Sequence, residues 1–166
     1  MSDMIVPSFG DDEVTARKLA IICSKGSLDM AYPAFILGNA ALGEGVAVDL
    51  FFTFWGFDII TEKTMDHLKF SPVGNPAAHM PAALSPLPGV TSFATHSLKK
   101  ALADLDVPEV REFLDLLKDS GAKIWACQLS ADMNHLSKKD LYEGVDAIIN
   151  ASDFIEMTDG AQLLFI

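Results

Sequence analysis

The sequence is poor in the residues that most catalytic and metal-binding motifs require. Its 166 residues contain only two cysteines, Cys23 and Cys127, which is too few for a disulfide framework. The four histidines form no His-Glu-x-x-His or similar ligand pair, so we expect no metal. Glycine-rich nucleotide-binding motifs and a Gly-x-Ser-x-Gly nucleophile elbow are also missing, and we expect no cofactor.

Basic residues and long apolar runs are scarce as well. Twelve Lys and Arg residues against 23 Asp and Glu give a net charge of −11, which argues against nucleic-acid and anionic-membrane partners. The apolar stretch 45–60 is interrupted by Asp49, Gly56 and Asp58 and is shorter than the ~20 residues of a membrane span. Residues 1–12 show no secretory signal pattern. We therefore expect a soluble, cytoplasmic protein.

What the chain does have is enough apolar material for one packed domain. Half of the residues are hydrophobic and only 21% are charged. We predict an acidic N-terminal lead-in over 1–17 and a single domain over 18–166. Five of the eight prolines fall between Pro72 and Pro88, which predicts a proline-rich insertion at about 70–95 without regular structure.

Short apolar runs alternate with helical patterns along this domain. A strand, a helix and a second strand of these lengths form a βαβ unit, which predicts an α/β fold with a parallel sheet. Trp55, Phe57 and Met65 are expected in the core or in an apolar contact face. The predicted strands are 18–23, 46–53, 123–127, 145–149 and 162–166, and the predicted helices are 28–42, 95–105, 108–120, a short one near Tyr142, and 152–158.

Cys127 ends a predicted strand just before a helical pattern. The carboxyl ends of parallel strands are where such sheets place their chemistry. Amide donors at a helix N-terminus stabilise a thiolate, the nucleophilic form of cysteine. The alternative is a buried cysteine that acts as a small hydrophobe. His135 could share this site as a base, and Asp132 could position a ligand or cap a helix.

Cys23 ends the first predicted strand in the same way. The turn that follows it, Ser24-Lys25-Gly26-Ser27, could hold an anion on its backbone amides and its one cation. Cys23 could equally be a buried residue that only packs in the core. If the strands that end in Cys23 and Cys127 are neighbours, the two sulfurs could come close together.

Three stretches resemble the DsrE/DsrF-like family, most closely the branch labelled as peroxiredoxin-like or DsrE-type sulfurtransferases. They are Lys18–Cys23 with the turn and helix through Phe35, the strand Val48–Gly56, and Ala126-Cys-Gln-Leu-Ser-Ala-Asp-Met133, whose Cys-Gln-x-Ser-x-Asp-Met pattern is the most specific. Some members carry an active cysteine in a mid-chain loop instead, and residues 70–96 of this sequence contain none.

The resemblance implies a flavodoxin-like or Rossmann-like three-layer α/β/α fold with a mostly parallel sheet of about five strands. It also implies homo- or hetero-oligomers and a cytoplasmic sulfur relay. In such a relay a cysteine carries sulfane sulfur as a persulfide and passes it to a partner such as a TusA-like protein. On the matching position, the carrier would be Cys127, with Cys23 as a possible second thiol.

Three functional hypotheses follow. The first is a sulfur carrier or sulfurtransferase that uses Cys127. The second is a non-catalytic oligomeric binding module with the proline-rich loop and Phe51–Phe57 as its contact surface. The third is a small-anion-binding domain that uses Ser24–Ser27 at the carboxyl edge of the sheet.

Overall fold

A computed structural model describes residues 17–70 and 89–166 of the chain. The predicted acidic lead-in, apart from Arg17, and most of the predicted proline-rich insertion lie outside these residues. The described part contains one sheet of five strands, all parallel to their neighbours, in the order β4-β3-β2-β1-β5. The strands are β1 (Lys18–Cys23), β2 (Ala47–Phe52), β3 (Lys123–Cys127), β4 (Ala147–Ile149) and β5 (Gln162–Phe165).

Within residues 17–70 and 89–166, five α-helices and three short 3₁₀ segments connect these strands. This confirms the predicted α/β fold with its parallel sheet. The α-helices are α1 (Leu28–Gly43), α2 (Val90–Ala103), α3 (Val110–Asp119), α4 (Gln128–Met133) and α5 (Ala151–Met157), and the 3₁₀ segments are Phe54–Ile60, Met65–His67 and Lys138–Asp140. None of the helices in the described ranges is long and apolar enough to cross a membrane.

The first face of the sheet is covered by α1 and α3. Side chains from alternate strand positions, such as Ile21, Leu50 and Ile124, are fully buried in this larger core. Phe35 of α1 and Phe113 of α3 meet there with their ring centroids 5.5 Å apart. The near-continuous burial of the central strands is what a parallel sheet with helices on its faces requires.

The second face has a smaller core. Phe154 of α5 stacks on Phe51 of β2 with ring centroids 4.5 Å apart, and Ala20 and Cys127 belong to the same buried cluster. At the edge of the sheet, Phe165 of β5 remains 69% exposed. This thinner layer is where the thiol of Cys127 lies.

The strand order keeps the two cysteines apart. The chain adds β2, β3 and β4 in succession on one side of β1 and then returns to place β5 on the other side. Cys23 and Cys127 therefore end strands that are separated by β2, and the neighbouring arrangement considered from the sequence does not occur. The two residues also lie in different cores, on opposite faces of the sheet.

Helix α1 begins at Leu28 with Ser27 as the residue before it, although the Ser27 side chain makes no capping hydrogen bond. A proline inside a helix removes an amide donor and crowds the preceding turn, which favours a kink or a late start at Pro33. The helix nevertheless starts where the Ser27 cap predicts and continues through Pro33 to Gly43. Pro33 is exposed, so its ring faces solvent rather than the core. The late start is therefore wrong.

Helix α2 begins five residues before the predicted Thr95. Gly89 precedes it with φ at +91°, a left-handed conformation that glycine adopts without strain. The predicted strand 145–149 is shorter in the structure and begins at Ala147, because Val145 closes a turn in which its amide donates a 3.1 Å hydrogen bond to the carbonyl of Tyr142. A 3₁₀ segment, Lys138–Asp140, takes the place of the short helix predicted near Tyr142.

The loops after β1 and β2 interlock through two glycines. A Cβ atom on Gly26 would lie 2.1 Å from the carbonyl oxygen of Trp55, and one on Gly56 would lie 2.1 Å from that of Cys23. Neither approach leaves room for a side chain. The two glycines thus hold the carboxyl ends of β1 and β2 in close backbone contact.

Candidate functional site

Cys127 is the last residue of β3 and the residue that immediately precedes α4. Its backbone is extended, with φ −72° and ψ 123°, as is usual at a helix N-cap. The residue is 5% exposed, so its sulfur is largely covered but not sealed, whereas Cys23 is 1% exposed. The predicted position of Cys127, at a strand end beside a helix start, is confirmed.

Four hydrogen-bond donors lie near the sulfur of Cys127. Burial by itself raises the pKa of this thiol, but the hydroxyl of Thr53, the amide and hydroxyl of Ser130, and the amide of Leu129 outweigh it and lower the pKa below its ordinary value. The two amides belong to the first turn of α4, where backbone N–H groups have no partner within the helix. The site therefore stabilises the thiolate more than water does for a free cysteine.

The hydroxyl of Ser130 accepts a hydrogen bond through its oxygen, so its proton can be donated to another group. The backbone amide of Phe54 donates a 2.7 Å hydrogen bond to Oγ of Ser130, and Oγ1 of Thr53 lies 3.4 Å from the same oxygen. A hydroxyl has one proton and two lone pairs, so Oγ can accept from Phe54 while its proton points at the sulfur. Phe54 holds this geometry with φ at +48°, a left-handed conformation that is strained for an aromatic residue.

Cys23 has the opposite environment. Apolar neighbours on the first face of the sheet bury it completely, and burial raises the pKa of its thiol to about 12. Adjacent strands lie about 4.8 Å apart, so the backbones of Cys23 and Cys127, two strands apart, are separated by about 10 Å. That is beyond the reach of a disulfide, and the structure does not bring the two thiols together.

His135 and Asp132 lie on the exposed side of α4. His135 follows the C-terminal end of this helix, and its amide donates to the carbonyl of Asp132. A helix of this length spans about 9 Å, so His135 lies about one helix length from the N-terminus that holds the sulfur. Asp132 accepts a 2.7 Å hydrogen bond from the side chain of Gln128 one turn earlier.

The turn Ser24–Ser27 divides into two parts. Oγ of Ser24 donates a 3.0 Å hydrogen bond to the carbonyl of Ile166, so this side chain is used to fasten the end of β5. Lys25, Gly26 and Ser27 instead line a cavity of about 1010 Å³. The structure thus separates the predicted anion-binding turn from the thiol of Cys127, which does not line this cavity.

Comparison with known sequences places the chain in a family. The sequence model of the DsrE/DsrF/DrsH-like family matches residues 15–165. The chain belongs to this family. The predicted resemblance is confirmed over nearly the whole domain.

Two curated proteins are similar to this chain over most of its length. The chain is 35% identical over 138 residues to the sulfur carrier protein DsrE2 of Allochromatium vinosum, which covers 78% of this chain and 86% of that protein. It is 23% identical to the uncharacterized protein YrkE of Bacillus subtilis, over 90% of this chain and 97% of the relative.

Two solved structures share the DsrE/DsrF/DrsH-like fold. The protein of unknown function MTH1491 from Methanobacterium thermoautotrophicum superposes with a TM-score of 0.57 at 10% identity, over 90% of this chain and 99% of that one. The ychN protein of E. coli superposes with a TM-score of 0.50 at 14% identity, with the same two coverages. At these identities the comparison shows the fold alone.

Sequence reasoning missed Thr53, Phe54 and Ser130 in this DsrE/DsrF/DrsH-like site. Ser130 stands three residues after Cys127, the spacing at which a side chain at the third helical position reaches back to an N-cap, and this signal was present in the sequence. Thr53 comes from a different strand. Its proximity follows from the register of β2 and β3, in which Phe52 pairs with Ala126.

Proposed function

We propose that this protein is a cytoplasmic sulfur carrier of the sulfurtransferase type, in which Cys127 holds sulfane sulfur as a persulfide. The observation that carries the proposal is the set of donors around a single sulfur whose pKa they lower. The 35% identity to a protein named as a sulfur carrier supports the same chemistry. Cys23 is buried with a raised pKa, so we assign it a structural role.

The proposed reaction is an exchange between sulfur atoms that needs no oxidant or reductant. The thiolate of Cys127 attacks the outer sulfur of a donor persulfide, a new S–S bond forms, and the donor's own S–S bond breaks. The electron pair of the broken bond leaves with the donor as its thiolate. In the second step an acceptor thiolate attacks the outer sulfur on Cys127, which returns to the thiolate form.

The donors around the sulfur act in both steps. In the first step they raise the fraction of Cys127 that is ionised, and only the ionised form attacks. In the second step Cys127 is the leaving group, and a thiolate of lowered pKa leaves faster. The same hydroxyls and amides thus favour loading and release.

Delivery requires a protein surface beside the sulfur. Four exposed apolar side chains lie on the elements around the sulfur. Phe54 and Trp55 follow β2, and Leu129 and Met133 belong to α4. Apolar patches of this kind on a soluble surface mark sites of protein contact. We propose that a TusA-like acceptor docks here, and that the protein acts as a homo-oligomer, as the resemblance implies.

The proposal is tested by mass spectrometry after treatment with polysulfide. The wild-type protein is expected to gain about 32 Da, one sulfur atom, which peptide mapping locates on Cys127. The Cys23→Ser variant is the matched control and is expected to gain the same mass, because its carrier thiol is intact. The Cys127→Ser variant is expected to gain none.

Two results would overturn the proposal. One is the absence of added sulfur on Cys127 in folded wild-type protein. The other is a Cys127→Ser variant that retains sulfur transfer to an acceptor thiol, which would favour the non-catalytic binding module instead.

A further inference from the structure

A second site is formed by the cavity of about 1010 Å³ next to the N-terminus of α1. Its wall combines the loop between β1 and α1 with the segment from Trp55 to Phe70. The interlocked glycines Gly26 and Gly56 fix these two parts of the chain against each other. The amide of Leu28 also donates a 2.9 Å hydrogen bond to the carbonyl of Lys69, which joins the start of α1 to the segment from Trp55 to Phe70 at a second place.

Three lysines converge on this cavity. Lys25, Lys63 and Lys69 all line it, and none of them forms an ion pair with a carboxylate within the described ranges. The chain has only 12 basic residues and a net charge of −11, so three in one concave wall form a local positive region. Asp29 and Asp58 also line the wall, which leaves it with a net positive charge that attracts anionic ligands.

The wall also contains a carboxylate that lacks a donor. Oδ1 of Asp29 is buried and has no hydrogen-bond partner in the structure, and Asp29 is one of the lining residues. A buried acceptor without a donor costs free energy and calls for an explanation. The other carboxylate oxygen, Oδ2, is not among the buried atoms without a partner, so it is the oxygen that can accept from an N–H group brought in by a ligand.

We propose that this cavity binds a small organic zwitterion that has one amino group and two carboxylates, of the acidic amino-acid or short acidic peptide type. The lysines receive the carboxylates and Asp29 receives the amino group. With Asp58 included, three ammonium groups face two carboxylates in the wall, which matches a ligand of net charge −1. Trp55, Met30 and Phe70 add apolar wall for its methylene groups.

The thiol of Cys127 and its hydrogen-bond donors lie outside this cavity, although Trp55 belongs both to the cavity wall and to the docking surface proposed above. Cys127, Ser130 and Thr53 are not among the residues that line the cavity. The inference therefore does not depend on the proposed function, and the Cys127→Ser protein is the right background for its test. Binding measured in that background reports on the cavity alone.

The test is isothermal titration calorimetry of the Cys127→Ser protein with L-glutamate and with γ-glutamylglycine. Both probes are expected to bind, and glutarate, which lacks the amino group, is expected to bind about tenfold more weakly because it leaves Asp29 without a donor. No binding of either amino-bearing probe at millimolar concentration would overturn the proposal. Equal affinity for glutarate and L-glutamate would overturn the role of Asp29 and with it the zwitterion.

Two variants assign the contacts. Lys63→Ala is expected to weaken L-glutamate about tenfold through loss of a charged contact, and Asp29→Asn is expected to weaken L-glutamate but not glutarate. Lys100→Ala, which removes an exposed lysine outside the cavity, is the matched control and is expected to change nothing. Unchanged affinity in Lys63→Ala and Asp29→Asn, with melting temperatures like that of the parent protein, would contradict the assignment.

Discussion

The backbone amide of Phe54 donates a 2.7 Å hydrogen bond to the hydroxyl oxygen of Ser130. This contact joins the loop after β2 to the first turn of α4, and it lies directly beside the sulfur of Cys127. Because the serine oxygen is occupied as an acceptor, its proton is directed elsewhere, and the sulfur and Thr53 are the groups within reach. The strained backbone of Phe54 is thus part of the arrangement that lowers the pKa of the thiol.

The first prediction concerns Ser130→Ala in a Cys23→Ser background. Loss of one hydroxyl donor raises the pKa of Cys127, so alkylation by iodoacetamide at neutral pH is expected to slow about fivefold, the equivalent of one hydrogen bond. The free energy of unfolding is expected to fall by about 1–3 kcal/mol, because the amide of Phe54 loses its buried partner. The rate of alkylation measured across a pH series reports the change in pKa, and urea denaturation reports the change in the free energy of unfolding.

Ser137→Ala is the control for this prediction, since Ser137 is exposed and its hydroxyl bonds Asp140 rather than the sulfur. Thr53→Val, which removes the other hydroxyl at nearly constant shape, is expected to shift the alkylation profile in the same direction as Ser130→Ala. If both variants alkylate with the wild-type pH profile, the hydroxyls do not stabilise the thiolate.

The second prediction distinguishes the two thiols in the folded wild-type protein. Cys127 is expected to react with iodoacetamide while Cys23 stays unmodified, because Cys23 is fully buried and burial raises the pKa of its thiol to about 12. Addition of denaturant is expected to make both react equally. Peptide mapping of the alkylated protein measures the extent of labelling at each cysteine. Under native conditions, labelling of Cys23 before Cys127 or to the same extent would contradict this assignment.

The third prediction tests the interlocked loops. Gly56→Ala places a Cβ atom 2.1 Å from the carbonyl oxygen of Cys23, so the backbone must move. We expect a loss of about 1–3 kcal/mol in the free energy of unfolding, the range found for overpacking. Gly43→Ala is the control, because nothing lies within 4 Å of its added Cβ at the end of α1. Equal stability of the two variants in urea would mean that the loop contact is not tight.

The fourth prediction concerns Asp146, whose carboxylate links α3 to β3. Oδ2 accepts a 2.6 Å hydrogen bond from Lys118 and a 2.8 Å bond from the amide of Ile124. Burial raises the pKa of Asp146, but the Ile124 amide and the neighbouring lysines outweigh it and lower the pKa. A lowered carboxyl pKa contributes stability above the unfolded value, about 3.9, and this stability is lost as the pH falls through the folded value.

Asp146→Asn is therefore expected to cost about 1–2 kcal/mol at neutral pH, after allowance for partial solvent screening. The difference from wild type is expected to shrink as the pH falls below about 4. Asp104→Asn, at an exposed aspartate with no ion pair in the described part of the chain, is the control. Urea denaturation across a pH series measures the effect, and a difference that grows on acidification would have the wrong sign.

The elements that the sequence specifies most clearly are the buried parallel strands. β1 and β3 have the bounds predicted for them. In each, an unbroken apolar run between a lysine and a polar residue defines where the strand begins and ends. The start of α2 at Val90 was missed because the preceding prolines dominate the local pattern. The 3₁₀ segment Phe54–Ile60 was also missed, since its apolar residues show no helical period of their own.

Only part of the candidate site could be predicted from the sequence. Cys127 could be located from its strand end, and the buried state of Phe57 and Met65 agrees with the predicted core, whereas Trp55 is 77% exposed at the rim of the cavity. Thr53 could not be found, because its approach to the sulfur depends on which strands are neighbours. Strand order is a property of long-range packing that no local pattern encodes.

The central claim is that the groups around Cys127 stabilise its thiolate and so lower the pKa of the thiol. The most direct measurement is a pH titration of thiolate absorbance near 240 nm in folded Cys23→Ser protein, where Cys127 is the only thiol. We expect the midpoint of this titration to lie clearly below about 8.5, the pKa of a free cysteine. A midpoint at or above that value would contradict it, because burial would then outweigh the donors and the sulfur would be an ordinary buried thiol.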